Sequence, residues 1–422
     1  MAVSENDGIF SGIRVLDLTQ YIAGPMMGKL LADLGAEVIK IEVAPRGDMM
    51  RYYGPPGGQS TAFLSENRGK KSLCFDLKRS EGAELMRDLV RHADVLIENW
   101  TPGILGKYGV SYEILAPLNP RLIMCSLSGF GQTGPHAGLP GNDLIAFAAS
   151  GILNMVGYPD DSPLYPGGGS LADSIGGVHG FAAVCAALYH RERTGKGQYI
   201  DLALTDSLMH LTSALITTRS LLGPDYKPMR SGAHLPGLTP CGIFKARDGY
   251  VAITVLLQQF DEFAQLIGKP ELPADPRFDT PAHRTENRLE LIRIVEEWLQ
   301  SFPTRDEPIA LIQGAHILCA PVLDTEGVMK DPQNRARNSL QEIDQPGAGK
   351  LTLPRAPFRF SETSVVVRGR APLMGEDNER ILSEILHYSS ERIERLTYQG
   401  VLFKQPLDQY LQRRTESNQS EG

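Results

Sequence analysis

The first hundred residues alternate between short β-rich runs and helical stretches, and this alternation limits the fold more than any other feature. "IRVLDLT" (13–19), "AEVIKIE" (36–42), "KSLCFDL" (71–77) and "ADVLIEN" (93–99) read as strands, with "MMGKLLADLG" and "SEGAELMRDLVRH" as intervening helices. A further strand follows at "RLIMCSLSG" (121–129). Strands separated by helices need crossovers, so they pair in parallel and carry helices on both faces. An α/β fold is expected.

At 422 residues the chain exceeds what one core usually supports, and two domains are expected. A net charge of −8 argues against a nucleic-acid partner, so an anionic ligand would need a local basic patch. No apolar run is expected to span a membrane. The five scattered cysteines lack metal-ligand spacing, and the acidic N-terminus resembles no export or transit signal; the expectation is a cytoplasmic protein with no metal. Residues 223–240 are rich in Pro and Gly and read as a linker or active-site loop, and the polar end, 412–422, reads as a disordered tail.

The opening βαβ unit suggests a dinucleotide site, but "YIAGPMMG" lacks the G-x-G-x-x-G pattern, and Pro25 removes a backbone donor. "NRGKKSLCFDLKR" gathers Arg68, Lys70, Lys71, Lys78 and Arg79 around one acid, Asp76: a candidate phosphate patch or a solvated loop. His179 and His190 read as structural, and His234 as a candidate pocket residue. In "SLADSIGGVHG" (170–180), Asp173 heads a helix whose apolar positions Val178, Phe181, Cys185 and Leu188 recur at helical spacing, with Gly195 as C-cap. Asp173 reads as an N-cap, as a carboxylate already ionised at neutral pH that can attack a carbonyl, or as both. Gly176 and Gly177 read as leaving the first turn bare for a ligand.

Several segments, taken in order, resemble the class III coenzyme A transferases, the CaiB/BaiF family: "GIRVLDLTQYIAGPMMGKLLADLGAEVIKIE", "GDMMR", "NRGKKSL", "ENWTPGILGKYG", "LNPRLIMCSLSGFGQTGP" and "ADSIGG…AALYHRERTGKGQYIDLALTDS". The resemblance runs from about residue 9 to 390. It implies a Rossmann-like large domain from both chain ends (1–225 and 335–422), a smaller inserted α+β domain (226–334), and an interlocked homodimer. It also implies that Asp173 is a nucleophile forming acyl-aspartyl anhydrides, with coenzyme A as co-substrate and no other cofactor. Coenzyme A contacts carry over to Ile22, Ala23, Phe75, Asp76, Leu77, Lys78, Asn99, Trp100, Thr101 and Lys107. Two departures stand out: Val43 occupies an Arg position of the formyl-CoA transferases, with Arg46 nearby, and "SGAHLPGLTP" replaces their tetraglycine loop.

The resembling α-methylacyl-CoA racemases place a His at Asn142 and a Glu at Leu257; neither residue here can shuttle protons, which disfavours racemisation. A non-catalytic coenzyme A-binding protein is the other alternative. "GDMMRYYGPP" resembles the branch using succinyl-CoA and dicarboxylates, with Arg51, Arg230 and His234 as candidate substrate contacts.

Overall fold

A computed structural model describes residues 8–54, 59–228, 230–235 and 237–406; the expected tail lies outside them. The chain forms two compact units. One takes Met1–Gly151, Pro166–Ala214 and Gln333–Gly422, the other Ile152–Tyr165 and Leu215–Pro332.

The first unit is built on six strands, β1 (Arg14–Leu18), β2 (Glu37–Val43), β3 (Lys71–Phe75), β4 (Val95–Glu98), β5 (Ile123–Ser128) and β6 (Tyr199–Ala203). All neighbours pair in parallel, in the order β3-β2-β1-β4-β5-β6. Because successive strand residues point to opposite faces, adjacent residues feed two cores. Leu16, Ile39, Leu96 and Met124 meet Leu85 and Leu89 of α2 (Ser80–Val90), while Val15, Val38, Val95 and Ile123 meet the other layer. That second layer includes α1 (Ala23–Asp33) and, through Val184, Ala187 and Leu188, the long α4 (Leu171–Thr194). Between α4 and β5 lies α3 (Asp143–Ala149); after β6 comes α5 (Leu204–Leu211).

The expectation that no apolar run is long enough for a bilayer is corrected by α4. Its 24 residues include a window of mean hydropathy 1.5. In this fold it is a layer helix, with α1, α5 and β5 against it. Leu171, Val178 and Tyr189 remain exposed on it.

The second unit has its own antiparallel sheet of β7 (Cys241–Ala246), β8 (Gly249–Thr254) and β9 (Leu318–Pro321), covered by α6 (Arg288–Gln300). Its core includes Phe244, Val251, Phe263, Leu291 and Val295. Back in the first unit, α7 (Asn378–Glu384) and α8 (Ser390–Tyr398) close over the first core. The chain then runs beside β3, where Asp76 N–H donates to Val401 O (2.8 Å) and Phe403 N–H to Cys74 O (3.0 Å), so the sheet edge is covered.

Candidate active site

The strand order reverses direction between β1 and β4, and ligands of open parallel sheets bind where such loops diverge at the carboxyl ends. There, Asn99 clamps the loop after β1: its Oδ1 accepts Gln20 N–H (2.8 Å) and its Nδ2 donates to Gln20 O (2.7 Å). Trp100 Nε1 donates to Leu18 O (2.8 Å). Tyr21 sits at φ +65°, a left-handed conformation costly for a bulky residue, and is retained by Asp48 Oδ1 accepting its N–H at 3.1 Å.

A buried network of charges lies beneath this loop. Lys40 Nζ donates to Thr19 O (2.7 Å) and pairs with Asp48 (2.8 Å); Lys70 pairs with Asp17 (2.7 Å), whose Oδ1 accepts Thr19 N–H. Burial raises the cost of the Asp17 charge, but Lys70 and Lys40 overcome it and hold the carboxyl below its ordinary range. Burial drops the Lys70 ammonium to about 8. The loop from Thr19 to Tyr21 is therefore fixed before any ligand arrives, which lowers the ordering cost of binding. Glu98, at the end of β4, is buried and pushed up to about 7, with the Trp100 N–H on its Oε2.

Asp173 is not the N-cap expected. Ser170 occupies that position with φ +49° and makes no side-chain cap; Asp173 is the third residue of α4, half-buried. Its N–H donates to Asp143 Oδ1 at 3.0 Å, so a carboxylate on α3 supplies the acceptor from 30 residues away. Asn142 caps α3, accepting Ile145 N–H on its Oδ1 (3.1 Å), and Asp143 begins that helix. Close approach of Gly129 and Gly141 brings the chain back to this point, since a Cβ on Gly129 meets Gly141 Cα at 2.8 Å.

The ionised Asp173 expected from sequence is also corrected. Burial, reinforced by the Asp143 charge, pushes its carboxyl from 3.8 up to about 7. Nor do the glycines open the turn to a ligand. Both are buried: a Cβ on Gly176 strikes the Leu204 side chain, and one on Gly177 meets Ala23 O at 2.6 Å and Met26 Cβ at 2.7 Å. Their function is helix packing. The same packing sets the N-terminal part of α4 against the start of α1, at Ala23 and Met26.

Of the expected coenzyme A contacts, Ile22 ends the loop after β1 and Ala23 opens α1, Asn99, Trp100 and Thr101 lie in the loop after β4, and Lys107 is in the short helix that follows. Phe75 and Leu77 are 0% exposed, backbone included, and the Phe75 carbonyl accepts Ala44 N–H (3.0 Å), so neither presents a surface to a ligand in this structure; Asp76 Oδ1 accepts Lys78 N–H (3.0 Å). The five-residue basic patch is corrected. Arg68 is spent on Asp33, Lys70 on Asp17, Lys71 on Glu37 and Arg79 on Gln399 O. Lys78, like Lys107, is exposed and pairs with no acid among the described residues. Arg46 is also exposed, beside the half-buried Val43.

Arg51 is corrected as a substrate contact. It is 3% exposed, donates from Nε and Nη2 to Glu42 (2.8 and 2.7 Å) and to Pro372 O (3.0 Å), and stacks on Phe63. In the second unit, Arg230 donates to the carbonyls of Tyr158, Pro159 and Asp161. His234 packs edge-on against Phe244, and burial lowers its basicity. His179 Nδ1 lies 2.9 Å from Ile175 O, and its ring packs against His210.

Sequence reasoning missed the Asp143 contact. "GND" carries a helix-start signal, but nothing local links it to Asp173. It also missed the clamp of Lys40 and Asp48 on the loop.

The sequence matches the family described as CoA-transferase family III over residues 10–378. It is 36% identical over 400 residues to a succinyl-CoA–L-malate CoA-transferase beta subunit of Chloroflexus aurantiacus, covering 93% of this chain and 98% of the relative. It is 35% identical over 394 residues to the succinyl-CoA:glutarate CoA-transferase of Mus musculus, covering 93% and 89%. The crystal structure of a CAIB/BAIF family protein from Brucella suis matches with a TM-score of 0.80 at 36% identity, over 90% of this chain and all of that one. With a parallel sheet of matching fold and resemblance along nearly its whole length, the chain belongs to CoA-transferase family III and is an enzyme that moves coenzyme A from an acyl-CoA to a carboxylic acid.

Proposed function

We propose that Asp173 is the nucleophile of this transfer, with succinyl-CoA as donor and a four- or five-carbon dicarboxylate as acceptor. The observation that carries the reading is a half-buried carboxyl, pushed up to about 7, in the first turn of a helix that packs through Gly177 on Ala23 at the start of α1. Its ionised form attacks the thioester carbonyl, the C–S bond breaks, and the anhydride and free thiolate form. The thiolate attacks the aspartyl carbonyl, and the donor acid leaves with one Asp173 oxygen. The acceptor carboxylate attacks the aspartyl thioester, expelling the thiolate. The thiolate then takes the acceptor's acyl group, leaving an acceptor oxygen on Asp173. A carboxyl that resists ionisation favours these neutral acylated states over the free carboxylate.

The β1 and β4 loops, with Lys78 and Lys107, hold the coenzyme A, and binding of this remote part keeps the thiolate in place between steps. The donor and acceptor classes rest on the named relatives. The active form is a homodimer in the cytoplasm, and exposed Leu171, Val178, Met209 and Leu211 on α4 and α5 suit burial against a second copy. The racemase reading is weakened by Asn142, whose side chain is engaged as a helix cap.

Acceptor acid labelled with oxygen-18, supplied with succinyl-CoA, should place label in the peptide containing Asp173 and only while acyl-CoA is present. An unlabelled Asp173 after many turnovers sinks the covalent mechanism. A panel of mono- and dicarboxylic acceptors tests the substrate class.

A further inference from the structure

Asp143 is buried, begins α3, and places its Oδ1 3.0 Å from the Asp173 backbone nitrogen. The Asp143 carboxylate is thus held against the backbone of the first turn of α4, at the residue that carries the Asp173 carboxyl. We propose that Asp143 is a positioning residue for the transfer, fixing the first turn of α4 through the Asp173 N–H while its negative charge favours the uncharged, acylated states of Asp173 over the free carboxylate. This rests on Asp173 being the nucleophile.

The other titratable groups on the elements packed around α4 do not substitute for it. On α1, Lys29 and Asp33 pair with Glu66 and Arg68. On α5, His210 packs on His179, and Asp206 lies in the first turn. β5 carries Cys125, and on β6 are Tyr199 and Asp201, the latter accepting Gln132 N–H (2.9 Å). Of all these groups, Asp143 is the one whose charge acts on Asp173, adding to the effect of burial. An anhydride or thioester at Asp173 removes one of two neighbouring like charges, so the repulsion is relieved when the acyl group is attached and returns when the carboxylate is regenerated.

The test compares Asp143→Asn, which keeps an oxygen acceptor for the Asp173 N–H but removes the charge, with Asp143→Glu, which keeps the charge on a longer arm. The readouts are the pH profile of kcat/KM and the fraction of Asp173 found acylated after acid quench, by peptide mass. In Asp143→Asn the acidic limb should move down by roughly one pH unit, and the trapped acyl fraction should fall several-fold. Asp143→Glu should keep the wild-type limb. A residue acting only as a helix cap leaves the limb of the Asn variant unmoved. Superimposed profiles with Asp173 still labelled by oxygen-18 overturn this inference alone. An unlabelled Asp173 in the wild-type enzyme overturns the reading on which it rests.

Discussion

Replacing Asp173 with Asn should abolish turnover and stabilise the protein, with the gain confined to neutral and alkaline pH. In the unfolded chain the carboxyl titrates near 3.8; in the folded state burial and Asp143 push it to about 7. Between these values the folded state holds a proton that the unfolded chain has released. Stability therefore falls as pH rises from about 4 to about 7, and the loss is complete above that. The separation is about 3 units at ~1.36 kcal/mol each, giving an upper bound of roughly 4 kcal/mol. Asn is neutral throughout and escapes this cost. Urea unfolding of both proteins from pH 4.5 to 8.5, followed by circular dichroism, should show the variant more stable by ~2–4 kcal/mol at pH 8. The gap should shrink toward pH 4.5, while activity at pH 8 falls by several decades. Stability gained where activity is lost is expected when a strained group does the chemistry. A difference that does not change with pH, or a less stable variant at pH 8, refutes the argument.

Arg51→Ala should cost about 3–5 kcal/mol, because it leaves Glu42 buried without its bidentate partner; an unchanged melting temperature with a raised KM for the acceptor acid would return Arg51 to the substrate. Gly177→Ala should destabilise by ~1–3 kcal/mol and also raise the KM for acyl-CoA, since its Cβ presses on the carbonyl of Ala23, which cannot swing away as a side chain can. Normal kinetics and stability in that variant would mean that α4 does not set the start of α1. Lys78→Ala and Lys107→Ala should each raise the KM for acyl-CoA with little change in kcat, and the effect should weaken at high salt; unchanged values at low salt would make both ordinary surface residues. Incubation with a 2-methylacyl-CoA in heavy water should give no α-deuterium, and rapid exchange would revive the racemase.

The alternation of strands and helices, read from residue 13 onward, was enough to specify a parallel sheet, because hydrophobic period and crossover length are local properties. The order of motifs from "GIRVLDLT" to "GQYIDLALTDS" was enough to indicate the family. Which charges were free was not legible. Arg51, Arg68, Lys70 and Lys71 look alike in a sequence to Lys78, yet their acids come from β1, β2 and α1, brought near only by sheet order and helix packing. Gly176 and Gly177 are equally ambiguous until Leu204, Ala23 and Met26 are seen against them. The same holds for Asp173: sequence supplied a carboxylate near a helix start, but burial and a second carboxylate 30 residues earlier decided its protonation. Ionisation depends on the dielectric and charges within a few ångströms, and those neighbours are set by the tertiary structure.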